Sequence, residues 1–166
     1  MGIIDDVLKA SHAYARNFSL GDLRSPPRRK LAVVACMDAR ITVEELLGLQ
    51  PGDAHVIRNA GGVVTDDVLR SLIISHYLLG TQEMMIIEHT DCGMLTFTDD
   101  ELRARLQAIT GVTATEPARF HAFRDLERNL RVQMERVREH PWIPDALPVR
   151  GFVYDVRSGA LREVHG

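Results

Sequence analysis

The chain has 166 residues, 45% hydrophobic and 26% charged, enough for one globular domain with a true core and too few for a second independent one. A formal net charge of -3 and a pI near 6.1 give no long-range attraction for polyanions, which sets nucleic acid and anionic membrane aside and leaves a small molecule as the expected substrate. No apolar run approaches the ~18 residues needed to span a bilayer, and the acidic start Gly2-Ile3-Ile4-Asp5-Asp6 is unlike a secretory leader, so a soluble protein of the cytoplasm is expected.

In chain order, Ile3, Ile4, Val7, Leu8, Ser11, Tyr14, Ala15 and Phe18 recur at helical spacing, which predicts an amphipathic helix over residues 3–18 that stops before Gly21 and the Pro26–Pro27 pair. Its apolar stripe has to lean on something. After Arg28, Arg29 and Lys30, read as a solvated face, the β-branched run 31–36 predicts a strand buried on both faces. Thr42 and Glu45 form a capping-box pattern for a short helix ending near Gly48. A second strand follows at 54–57, then a turn-rich connection over 58–62. Thr65 caps the next helix, with Asp66 and Asp67 at its positive end, Leu69, Leu72, Ile73 and His76 on one face, and Gly80 as its stop. Residues 84–88 predict a third buried strand ending at His89. Thr98 and Glu101 open a helix closed by Gly111, and a long charged helix over 119–139 turns Phe123, Leu130, Met134 and Val137 inward. Strands at 151–156 and 161–164 complete the set, joined by a turn at Ser158–Gly159. Strands alternating with helices predict an α/β fold: a mainly parallel sheet flanked by helices, with an antiparallel C-terminal strand at its edge.

In an open parallel sheet, functional groups gather beyond the carboxyl ends of the strands. The first strand ends in Cys36-Met37-Asp38-Ala39-Arg40 and the third in His89-Thr90-Asp91-Cys92-Gly93, so both of the two cysteines emerge on one edge. Two thiolates and an imidazole are zinc ligands, and three protein ligands with one open position leave room for catalysis. Cys36, His89 and Cys92 supply such a set. Asp38 either takes the fourth position and closes the site, or pairs with Arg40 and leaves water there. One by one these residues have plainer readings: buried or disulfide-linked cysteines, a loop ion pair, and glycines that serve only a turn. The remaining histidines, His12, His55, His76, His121, His140 and His165, show no ligand spacing and are read as surface or core residues.

The Cys-x-Asp-x-Arg element, Arg58-Asn59-Ala60-Gly61 and the His-x-x-Cys-Gly element, in this order and strand context, resemble those of the β-carbonic anhydrases. The resemblance implies a single domain over residues 1–166, with 1–25 as an N-terminal helical arm that packs on a dimer partner and 30–166 as the α/β core. The molecule is then a homodimer or a dimer of dimers. The resemblance also implies Zn2+ as cofactor and reversible hydration of carbon dioxide to bicarbonate and a proton by a zinc-bound hydroxide. Cys36, His89 and Cys92 hold the metal, with Asp38 a fourth ligand only in a closed state. Asp38, held by Arg40, accepts the hydrogen bond of the hydroxide and aims its lone pair, the Gly93 N–H donates to the substrate oxygen, and Val63 helps form a small apolar wall. Arg58 and Asn59 are read as buttresses. Two positions depart from the family pattern: Pro27 stands where a glutamine is frequent, and His55 where an aromatic residue is common. The missing polar donor keeps hydrolysis of carbon disulfide or carbonyl sulfide on the same scaffold as a second reading. A non-catalytic zinc-stabilised assembly or sensing domain is a third, and a dithiol redox protein a fourth, weakened by the lack of a Cys-x-x-Cys pair.

Overall fold

In the computed structural model, which describes residues 2–166, five strands form one sheet in the order β2-β1-β3-β4-β5. They are β1 (Leu31–Cys36), β2 (Ala54–Asn59), β3 (Glu83–His89), β4 (Val149–Tyr154) and β5 (Leu161–Val164). The first four are parallel and β5 pairs antiparallel with β4. Strand β1 is central, and its run of Ala32, Val33, Val34 and Ala35 is sealed from solvent on both faces, as an uninterrupted apolar strand requires. On one face Val34 and Ile86 pack with Leu72, Leu130 and Met134. On the other, Val33, Ala35 and Ile87 pack with Ile41, Met94 and Phe123, and this second cluster also contains both cysteines.

The helices are α1 (Ile3–Arg16), α2 (Val43–Leu47), α3 (Asp66–Tyr77), α4 (Asp99–Thr110) and α5 (Leu126–Arg138). At α4 the capping box is complete: the Glu101 N–H donates to Thr98 Oγ1 at 3.2 Å and the Thr98 N–H to Glu101 Oε2 at 2.6 Å. Thr65 caps α3 by accepting from the Val68 N–H. At α2 the expected box is replaced by a side-chain contact, the Thr42 hydroxyl donating to the Glu45 carboxylate at 2.8 Å.

Four segments differ from the sequence expectation. Strand β2 runs on to Asn59, because Arg58 and Asn59 stay in register opposite Ala35 and Cys36. Strand β4 lies at 149–154. The helix expected over 119–139 begins only at Leu126, where Asp125 accepts from the Arg128 N–H. Before it, the Asp99 carboxylate accepts from the N–H groups of Phe120, His121 and Ala122, and His121 sits at φ 62°, so those amides are committed outside any helix. Phe123 is buried as expected, but through a loop and in the cluster around the cysteines. Helix α1 ends at Arg16, and none of its residues is buried: Ile3, Ile4, Val7, Leu8 and Tyr14 all face solvent. Among the described residues no helix is long and apolar enough to cross a membrane.

Candidate metal centre

Strands β1 and β3 are neighbours with Ala35 opposite Ile87, so the residues just beyond them arrive side by side. Ligand atoms of Cys36, His89 and Cys92 all lie within 4.8 Å of one another, and all three side chains are buried. His89 Nδ1 is 2.8 Å from the Thr90 carbonyl oxygen, which can only accept, so Nδ1 carries the proton and Nε2 the lone pair. That buried Nε2 has no hydrogen-bond partner among the described residues. Leaving such an acceptor bare costs about 1–3 kcal/mol, and a cation bound between the two sulfurs is the partner that removes this cost.

The sulfurs are electronically prepared for the same event. A hydrogen bond with the Cys92 thiol draws Cys36 toward thiolate against the opposing effect of burial, and the Asp38 and Gly61 amides add to it. The same shared hydrogen bond, together with burial, pushes Cys92 up. The two sulfurs thus differ in how readily they ionise, and a bound cation would favour the thiolate form of both. Two soft sulfurs and an imidazole nitrogen suit zinc, and the residues fit that ion.

Glycine makes the cradle possible at two adjacent positions. Gly61 and Gly62 have φ of 88° and 66°, and a Cβ on Gly62 would stand 2.9 Å from the Ile87 carbonyl oxygen and 3.0 Å from the Cys36 nitrogen. The turn lies this close to β1 and β3, and so the Gly61 N–H reaches Cys36 Sγ at 3.3 Å. Asn59 pins the turn from inside, accepting from the Val63 N–H at 2.9 Å and donating to the Val63 oxygen at 2.7 Å. Arg58 donates to the carbonyls of Cys36 and Asp38, which holds the first ligand loop. Both act as the buttresses expected.

Asp38 is gripped in a fork. Arg40 Nε and Nη2 donate to its two oxygens at 2.9 and 2.8 Å, and the Arg40 backbone N–H donates at 2.9 Å. The Arg40 side chain first, and its amide second, hold the Asp38 carboxyl far below the usual carboxylate range. Asp38 Oδ2 is 3.8 Å from His89 Nε2, so this ionised carboxylate borders the metal position. A cavity of about 420 Å3 opens beside it, bounded by Gly93, Met94, Phe97, Leu102 and Ala60. A larger one, about 590 Å3, lies between α4 and residues 112–120 and touches none of the ligand residues.

With this geometry in view, two comparisons bear on identity. The family model described as carbonic anhydrase matches residues 31–161. Beta-carbonic anhydrase 1 of Mycobacterium tuberculosis is 47% identical over 164 residues, covering 99% of each chain. The chain belongs to the β-carbonic anhydrase family. A carbonic anhydrase structure from Streptococcus mutans superposes with a TM-score of 0.93 at 42% identity, covering 99% of each chain. A carbon disulfide hydrolase of Saccharolobus solfataricus is 37% identical, covering 98% of this chain and 89% of its own.

In this β-carbonic anhydrase relative, Cys36, Asp38, Arg40, His89, Cys92 and Gly93 converge on one cavity or its rim. Val63 is buried in the cluster behind the cysteines and does not line the cavity; Ala60, Met94, Phe97 and Leu102 do. Pro27 and His55 also lie outside the lining that this chain supplies, and His55 Nδ1 is 2.7 Å from the Ser75 hydroxyl. Sequence reasoning does not single out Asp91, which takes the other side of the Arg40 guanidinium. The available signal is an acid inside the His-x-x-Cys element, with no periodicity to say which cation it meets.

Proposed function

We propose that the protein catalyses reversible hydration of carbon dioxide to bicarbonate and a proton, with Zn2+ held by Cys36, His89 and Cys92. The observation that carries this reading is the buried Cys-His-Cys triad, within 4.8 Å, beside a carboxylate locked on a guanidinium. When bound, zinc supplies the Lewis acidity that makes a water acidic enough to act as nucleophile near neutral pH. Asp38 stays ionised over the working range and is therefore an acceptor only; it takes the O–H of the attacking water and turns the oxygen lone pair toward carbon. The apolar side chains of Met94, Phe97 and Leu102 admit the uncharged substrate, with Val63 backing the wall, and the Gly93 N–H donates to the substrate oxygen on which charge develops. The closed alternative, with Asp38 as fourth ligand, competes with the bonds that hold its carboxylate on the Arg40 side chain. Thiol ligands of this kind fit a reducing compartment, and a cytoplasmic enzyme is the reading we adopt.

Stopped-flow hydration with parallel zinc analysis tests the proposal. One zinc per chain is expected, with Cys36→Ser losing metal and activity together and Asp38→Asn keeping metal while activity falls by about 100-fold or more. Hydration that survives both substitutions would sink the reading. The carbon disulfide hydrolase relative and the apolar cavity support a second reading on the same site. Sulfide release from carbon disulfide, with hydration absent, would establish it instead.

A further inference from the structure

Arg40 holds more than Asp38. On its far side Nη1 donates to Asp91 Oδ2 at 2.8 Å and Nη2 to the Asp91 main-chain oxygen at 3.1 Å. A guanidinium is planar and its donors point in fixed directions, so it serves acceptors on two sides only when both lie near its plane. Where Asp91 stands therefore decides how the plane is turned, and with it how the Asp38 carboxylate is presented. Asp91 sits at φ 57°, a region that Asp and Asn enter more readily than other side chains; this turn brings its carbonyl and its carboxylate to the same cation. The residue lies between His89 and Cys92 on the loop after β3, whereas Asp38 and Arg40 follow β1. The bridge Asp38–Arg40–Asp91 thus ties the two ligand loops to each other.

We propose that Asp91 is a positioning residue, which grips Arg40 from the far side and so fixes the orientation of Asp38 toward the reacting water. This rests on the hydration reading given above. Both side chains of the outer pair are well exposed, at 66% for Asp91 and 46% for Arg40, so the pair adds little by attraction alone. Its contribution is directional. Without it, Arg40 keeps Asp38 but swings on its long stem, and the loss falls on the chemical step while substrate entry is unaffected.

The test uses Asp91→Asn and Asp91→Gly, both of which tolerate the left-handed backbone. In the zinc-loaded enzyme kcat is expected to fall about fivefold with KM and zinc content unchanged. In metal-free protein carrying 15N-arginine, the Arg40 Nε–H resonance, assigned by its loss in Arg40→Lys, is expected to weaken as it exchanges with water. Adding Asp91→Asn to Arg40→Lys should cost no further activity, because the effect runs through Arg40. An unchanged kcat, an unchanged Arg40 resonance, a loss of zinc or a full additional loss in the double variant overturns the proposal. Should wild-type protein lack hydration altogether, the functional reading fails, and the resonance alone judges the clamp: weakened sustains it, unchanged overturns it.

Discussion

Glu88 precedes the metal-facing histidine by one residue and points to the other side of the sheet, where it is wholly buried. Its Oε1 accepts from Asn129 Nδ2 at 2.6 Å, while Oε2 has no partner among the described residues. Burial pushes this carboxyl up to about 9 from an ordinary 4.5, and the Asn129 bond only partly opposes it. The folded state therefore holds a proton that the unfolded chain gives up first. The stability tied to that proton is complete below pH ~4.5 and drains away as pH rises toward about 9, at no more than ~1.4 kcal/mol per pH unit. Glu88→Gln keeps the acceptor for Asn129 and removes the ionisation. Urea unfolding at about pH 5.5 and about pH 8.5 should show wild type weakening between the two and the variant changing much less; equal pH slopes would mean that Glu88 is charged in the fold. The Asp38–Arg40 pair was legible in the sequence because its two members stand two apart on one strand exit, whereas the Arg40–Asp91 contact spans 51 positions and depends on a left-handed turn that residue order does not reveal.

At the scale of elements, legibility followed how local the deciding interaction is. Strand β1 and the helix from Asp99 to Thr110 were read nearly to the residue, since an unbroken β-branched run and an adjacent Thr98/Glu101 box decide them from within. The segment 119–125 was misread as helix because its periodicity suits one, while the carboxylate that prevents it lies 21 to 23 positions upstream. Asp99 thereby does two things: it begins α4, and it holds three amides of the loop that delivers Phe123 beside Gly61, where a Cβ would meet the Phe123 ring at 3.2 Å. Asp99→Ala leaves those amides without their acceptor and should destabilise the protein by about 2 kcal/mol, read as a lower urea midpoint with unchanged slope. Asp99→Asn, which keeps one acceptor oxygen, should recover about half. If alanine costs nothing, water replaces the carboxylate and the loop owes its shape to Phe123 alone.

Across the whole molecule, α1 is the element that the remaining fold does not explain. A helix of fourteen residues is marginal in water by itself, and its apolar stripe of Ile3, Ile4, Val7 and Leu8 touches no core of its own chain. The occupant we infer for that stripe is a second copy, on which the arm would pack while residues 30–166 form the core. Removing residues 2–16 should leave the melting of the core sheet within a few degrees of a dilute wild-type sample, and should convert a sedimenting dimer to a monomer. An unchanged sedimentation coefficient would place the interface on another surface. The cradle and the wall of the site also differ in what they permit. Gly62 has no room for a side chain, since the backbone of β1 and β3 stands where its Cβ would go, and Gly61 combines a positive φ with tight contacts from Met94 and Phe123. The wall is made of ordinary side chains, Met94 and Phe97 shortly after Cys92, and Leu102 on α4. The site thus tolerates change unevenly: an exchange at Phe97 or Leu102 alters what the cavity admits, whereas a side chain at Gly62 presses on the strands that carry Cys36 and His89.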